Sequence, residues 1–180
     1  MNILITGGSG FVGSNLIKKL SGLNYQLLVL TRDINKTSQI LKYAPDIEYF
    51  TTLDQIPSNT IIDYIVNLAG ASISAYPWTS HRKQILMQSR ISITESLLSL
   101  INRLKTKPKK LLSASATGWY GIECTNIKVD ENYIAEDNSF SHILCDKWEK
   151  AAIKATEHKV EVDILRFGVV LGASGGMLGK

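Results

Sequence analysis

The run NILITGGSGFVGSNL at the start of the chain constrains the fold more than any other stretch. Asn2 to Thr6 is short and almost wholly apolar, as a strand covered on both faces must be. From Phe11 onward the apolar residues take helical spacing. Between these segments Gly7, Gly10 and Gly13 stand in G-x-x-G-x-x-G spacing. So tight a turn needs residues without side chains, and the helix after it offers free amides and a positive dipole end. Glycine spacing alone carries little weight. Placed at the first strand-to-helix junction, it predicts a cradle for a pyrophosphate.

The rest of the chain keeps the alternation. YQLLVLTR reads as a second strand, followed by a polar helical stretch near Asn35 to Tyr43 and a weaker strand, IEYFT. IIDYIVNLAG is a further strand. A long amphipathic helix is expected over His81 to Leu104, with Ile85, Leu86, Ile93, Leu97, Leu98 and Ile101 near one face. KKLLSAS and VDILRFGVV supply two more strands, with a helix between them around HILCDKWEKAA. This pattern predicts an α/β fold, a doubly wound parallel sheet of Rossmann type, as one domain over residues 1–180. Gly121 to Ser139 is the longest irregular stretch, and in such sheets long loops border the ligand crevice.

Hydrophobic residues make up 44% and charged residues 20% of the chain, which suits a globular domain. The two cysteines, Cys124 and Cys145, form no disulfide framework, and a reducing, cytoplasmic setting is expected. The opening residues have neither the basic region nor the cleavage site of a signal peptide. No apolar run approaches the ~20 residues of a membrane span. The net charge is +4, and the densest basic run is RLKTKPKK, Arg103 to Lys110. It reads as a solvated connection after a helix that cannot continue through Pro108, so no nucleic-acid partner is expected. His81, His142 and His158 lack ligand spacing, and no metal site is expected.

The end of the second strand bears on the ligand. Rossmann folds that prefer NAD place an acid there to bind the ribose hydroxyls. Here Thr31 and Arg32 come first, then Asp33. An Arg32 contact to a 2′-phosphate would contribute about 1.5–3 kcal/mol, or about tenfold or more in affinity. The reading is therefore an NADP site, with Asp33 keeping NAD as the alternative.

TGGSGFVG, NLAG at Asn67 to Gly70 and SASATGWYG at Ser113 to Gly121 resemble motifs of the extended short-chain dehydrogenase/reductases. With KQILMQSRI, CDKWEKAA and LRFGVVLGASGGML, the chain is similar over nearly its whole length to an atypical branch, the NAD-dependent epimerase/dehydratase-like or epimerase family proteins. Some members carry the description cell-division inhibitor, which nothing in these residues explains. The resemblance implies that Gly7, Ser9, Gly10, Phe11, Val12 and Gly13 wrap the pyrophosphate. It places Leu68, Ala69 and Gly70 beneath the ribose and nicotinamide side, and Gly168, within Leu165 to Val169, where the chain passes the nicotinamide. Ser115 matches the serine that hydrogen-bonds the reacting oxygen. It also falls at the C-terminal end of an expected central strand, where open α/β sheets bind ligands.

The chain departs from the superfamily at the proton-transfer pair. No Y-x-x-x-K occurs in it, and the corresponding helix positions hold Cys145 and Glu149. A lysine stabilises a tyrosinate, whereas a carboxylate near Cys145 disfavours the thiolate. Lys147 lies on another side of the helix. Glu149 is a candidate acid or base, a ligand for a hydroxyl, or a solvent-facing charge. Tyr120 is the other candidate acid. Trp148 reads as core with Phe140, Leu144 and Ala152. Arg90 could hold an anionic substrate group or pair with Glu149 or another acid.

By the resemblance, a substrate-binding region should follow the sixth strand and is largely absent from these 180 residues, which would expose an apolar surface that could support a homodimer. Two readings follow. In one, the chain is an oxidoreductase or epimerase acting on a hydroxyl or carbonyl of an unidentified small molecule, with Ser115, Tyr120 and Glu149 at the site. In the other, it is an NADP-binding sensor or scaffold without turnover.

Overall fold

The computed structural model describes residues 1–121, 128–135, 137–172 and 175–176. Six parallel strands form one sheet: β1 (Asn2–Thr6), β2 (Gln26–Leu30), β3 (Ile47–Phe50), β4 (Tyr64–Asn67), β5 (Lys110–Ala116) and β6 (Glu161–Phe167). Their order is β3-β2-β1-β4-β5-β6, the doubly wound arrangement whose strand order reverses between β1 and β4. Among the described residues, four α-helices connect them: α1 (Phe11–Leu20), α2 (Ile34–Ile40), α3 (Ser80–Arg103) and α4 (Phe140–Ile153). A two-residue antiparallel pair, β7 (Leu171–Gly172) with β8 (Gly175–Gly176), follows β6.

Side-chain alternation explains the two layers. Ile3, Ile5, Leu27 and Val29 point to one face and pack with Ile17 of α1 and with Leu41. Leu4, Leu28, Ile65 and Leu111 point to the other, against Leu97, Leu100 and Ile101 of α3 and Ala152 of α4. The inner strands therefore carry apolar residues on both faces, which is why they read as apolar runs, and the buried polar residues of β1, β4 and β5 come towards their C-terminal ends.

Some elements are shorter than their sequence patterns. The apolar run Ile61 to Gly70 gives a strand only over Tyr64–Asn67, because Asp63 accepts from the Asn2 amide at 2.8 Å and Leu68 turns to meet β1. VDILRFGVV stops pairing at Phe167, since its neighbour β5 ends at Ala116. The basic run after α3 is largely absorbed locally. Lys107 Nζ donates to the carbonyls of Ile101, Asn102 and Leu104, Arg103 donates to those of Leu53 and Ile56, and Lys110 pairs with Glu161 and Asp163. Cations at a helix C-terminus satisfy carbonyls that have no intrahelical donor. Among the described residues, no helix is long and apolar enough to cross a membrane.

Ile101 is fully buried between α3 and the sheet. Ile101→Ala should cost about 2–5 kcal/mol through lost burial and the cavity left behind. In urea titrations the midpoint should fall while the slope stays unchanged.

Candidate functional site

The crevice forms at the C-terminal ends of β1, β4 and β5, where the glycine turn meets the β4 turn. Gly7 has φ +70°, and a Cβ there would lie 2.6 Å from the Leu68 carbonyl oxygen. A Cβ on Gly13 would come within 2.3 Å of the Gly7 carbonyl oxygen, so α1 seats directly on the turn. Both contacts exclude any side chain. Thr6 ties the two turns together: its hydroxyl donates to Asn67 Oδ1 at 2.7 Å and accepts from the Ala69 amide at 3.2 Å.

Gly10 is the N-cap of α1 and supplies no side-chain cap, and the first turn carries no acid. The Gly10 amide donates to Gly7, and the first intrahelical bond runs from Ser14 to Gly10. No described residue accepts from the amides of Phe11, Val12 and Gly13, and Ser9 is exposed beside them. A side-chain-free turn with open amides at a helix start fits a bound pyrophosphate. Phe11 extends across to β7, where its ring would meet a Cβ on Gly172 at 2.4 Å.

At the end of β2 the three polar residues take different roles. Thr31 Oγ1 lies 2.7 Å from Thr37 Oγ1. Asp33 caps α2, with Oδ1 accepting from the Lys36 amide at 2.9 Å. Arg32 is exposed, and no described residue bonds or pairs with it.

Ser115 lies one residue before the end of β5 and faces α4. Its hydroxyl donates to Glu149 Oε1 at 2.5 Å, with Ser115 3% and Glu149 5% exposed. Glu149 neither faces solvent nor pairs with Arg90. Arg166, beside Ser115 in the β5–β6 ladder, grips both carboxylate oxygens: Nε to Oε1 at 3.0 Å and Nη2 to Oε2 at 2.9 Å. Its Nη1 also donates to Tyr120 Oη at 3.2 Å and to the Glu131 carbonyl at 3.3 Å, while its plane stacks 3.5 Å from the Trp119 ring centroid. Hydrogen bonding to Glu149 raises the Arg166 pKa above an ordinary guanidinium's. The structure thus joins Ser115, Glu149 and Tyr120 through an arginine that motif reading passed over. The available signal was a lone cation inside the apolar strand VDILRF.

Cys145 is buried one turn before Glu149. Burial pushes its thiol above the ordinary value, the Glu149 charge adds to the rise, and contacts with Ser115, the Ala116 amide and the Arg90 charge offset it in part. Lys147 is exposed on another face of α4. Leu144, Trp148 and Ala152 are core, but Phe140 in the first turn instead meets Trp78 edge-on, centroids 5.3 Å apart. Arg90 lies against Gly70, donates to the carbonyls of Leu86 and Ala71 at 3.0 and 3.1 Å, and sits 5.1 Å from the Trp148 ring centroid. Gly168 follows β6, exposed, with Thr117 nearby. Cys124 lies outside the described residues. Among the described residues, no cluster of His, Cys, Asp or Glu could hold a metal.

Residues 3–175 match the model of the NAD dependent epimerase/dehydratase family, and the chain belongs to that family. Among its relatives, a chloroplastic epimerase family protein SDR39U1 homolog of Arabidopsis thaliana is 34% identical over 99% of this chain and 51% of its own length. Epimerase family protein YfhF of Bacillus subtilis is 33% identical over 98% and 57%. The chain spans about half the length of the curated relatives it matches. Among solved structures, human epimerase family protein SDR39U1 with NADPH superposes with a TM-score of 0.82 at 26% identity, over 99% of this chain and 57% of that one. A Bacillus cereus UDP-glucuronic acid 4-epimerase in complex with NAD shares the fold, with a TM-score of 0.78 at 20% identity over 98% and 59%.

The raised Cys145 thiol makes a poor nucleophile. Iodoacetamide at pH 8, read by peptide mapping, should modify it at least about tenfold more slowly in the native chain than in urea, because burial blocks access. Equal rates would contradict the burial. Since its folded pKa is raised, this thiol favours the native state fully below its ordinary range, and that contribution is lost as pH climbs through the folded value. The urea midpoint should accordingly fall more steeply above pH 9.0 for the native sequence than for Cys145→Ala.

Proposed function

We propose that the chain is the NADP-binding part of an epimerase/dehydratase-family protein that acts on a hydroxyl or carbonyl carbon of a small molecule. The observation that carries this reading is the cradle at the β1–β4 switch point, where glycine turn, open α1 amides and β4 turn converge. Gly7, Ser9, Gly10, Phe11, Val12 and Gly13 would hold the pyrophosphate. Thr31 and Arg32 would take the phosphorylated ribose. Arg32 is uncommitted, whereas part of the Asp33 carboxylate is used on α2, which supports NADP over NAD. Leu68, Ala69, Gly70 and Gly168 would flank the nicotinamide side.

When bound, the nicotinamide supplies a hydride donor or acceptor. Ser115 would hold the reacting oxygen. Glu149, bonded to Ser115, and Tyr120, tied in through Arg166, are the groups beside it that can handle a proton, with water as the alternative carrier. A free thiol at Cys145 suits a reducing, cytoplasmic setting. The second reading, a cofactor-binding sensor or scaffold without turnover, draws on the Cys145 and Glu149 pair. A buried thiol and an arginine-bound carboxylate occupy positions where a tyrosinate and a lysine would otherwise work.

Calorimetric titration of the purified chain should show NADPH binding in preference to NADH. Arg32→Ala should weaken NADPH by about tenfold or more and leave NADH nearly unchanged. Gly13→Ala should abolish binding of both, since its Cβ would displace the Gly7 carbonyl. No binding of either cofactor by the unmodified chain would refute the reading. Reduction of bound NADP by an alcohol substrate, or oxidation of bound NADPH by a carbonyl, that is lost in Ser115→Ala would favour the enzyme over the sensor.

A further inference from the structure

A serine hydroxyl has one proton and two lone pairs. The Ser115 proton points at Glu149 Oε1 across 2.5 Å. That carboxylate cannot swing away, because Arg166 holds both of its oxygens in a fork of parallel N–H bonds. Nor can Arg166 easily turn, since Tyr120 Oη, the Glu131 carbonyl and the Trp119 ring hold its remaining sides. Both Glu149 oxygens accept from Arg166, so Oε1 faces Ser115 as an acceptor. The neighbouring Cys145 sulfur is at most a weak hydrogen-bond partner and does not compete with the carboxylate for the Ser115 proton. With its proton committed to Glu149, Ser115 has only lone pairs to offer a ligand.

We propose that Arg166 is a positioning residue that, through Glu149, makes Ser115 a hydrogen-bond acceptor, so that the crevice at the end of β5 selects ligands presenting a donor, chiefly an alcohol hydroxyl, over ketones of the same shape. The inference rests on the reading of Ser115 as the residue that meets the substrate oxygen. A ketone oxygen would bring its own lone pairs against the Ser115 oxygen and the Glu149 carboxylate, with no proton between them. An alcohol supplies that proton.

Cyclohexanol and cyclohexanone serve as probes of nearly equal shape, titrated into nitrogen-15-labelled chain while the amides of Ala114 to Thr117 are followed by NMR. Cyclohexanol should bind about fivefold more tightly than cyclohexanone, the factor that one neutral hydrogen bond confers. Glu149→Met combined with Arg166→Met removes both charges together, a replacement that folds tolerate better than loss of one partner. It frees the Ser115 proton and should erase or reverse the preference. Ser115→Ala, a smaller change, should bring cyclohexanol down to the cyclohexanone level. The proposal is overturned if the unmodified chain takes cyclohexanone equally well or better, if the preference survives in the double variant or in Ser115→Ala, or if neither probe shifts these amides at saturating concentration. NADPH titrations on the same samples keep the two readings apart. Failure to bind NADPH would remove the dinucleotide reading while leaving an alcohol preference intact, and the reverse result would remove only the Ser115 assignment.

Discussion

The architecture depends on one close backbone approach. Gly7 meets the Leu68 carbonyl on one side and the start of α1 at Gly13 on the other, with no room for a Cβ at either place. This contact brings β1 and β4 together at the point where the strand order reverses, and it aims α1 so that its first amides open into the crevice. Van der Waals contact between backbones replaces side-chain packing here. Thr6 and Asn67 add hydrogen bonds beneath it, and Thr94 of α3 accepts from Asn67 Nδ2 at 3.0 Å. The turn, the central strands and the longest helix are thereby joined into one polar core under the crevice floor.

A second constraint governs the far side of the crevice. Glu149 and Arg166 are mostly withdrawn from water, and taking such a pair out of water costs several kcal/mol per ion before their attraction offsets it. The geometry meets the condition under which such pairs persist. Both carboxylate oxygens are bonded to the guanidinium, Ser115 satisfies a further lone pair, and the arginine uses its Nη1 donors on Tyr120 and Glu131. Losing either partner would leave the other's charge buried without its counter-ion. The pair is thus better understood as an organiser of the β5–α4 connection and of Ser115 than as a net source of stability.

Much of the fold was legible in the residues because its causes are local or periodic. The glycine spacing, the apolar strand runs and the 3.6-residue repeat of α3 each express a short-range rule, and the sheet and its two helical layers follow. Element ends were less legible. β4 is shorter than its apolar run, and β6 stops at Phe167, because strand length depends on where the neighbouring strand ends. Arg90 illustrates the same limit. Its sequence position allowed an acidic partner, and the fold instead gave it backbone carbonyls, Gly70 and the Trp148 ring.

By itself, the sequence determined the class of fold, the glycine turn, the departure from a tyrosine–lysine pair and the placing of Ser115 at a strand end. Those features depend on residue type and on spacing within a single turn or strand. Only the tertiary structure decided what Glu149 does, because its partner comes from β6, 17 residues further along the chain, and reaches it through strand register. The same holds for the link between Ser115 and Tyr120. A hydrogen-bond network that crosses from strand to helix to loop has no period in sequence, and only the packed sheet brings its members within reach.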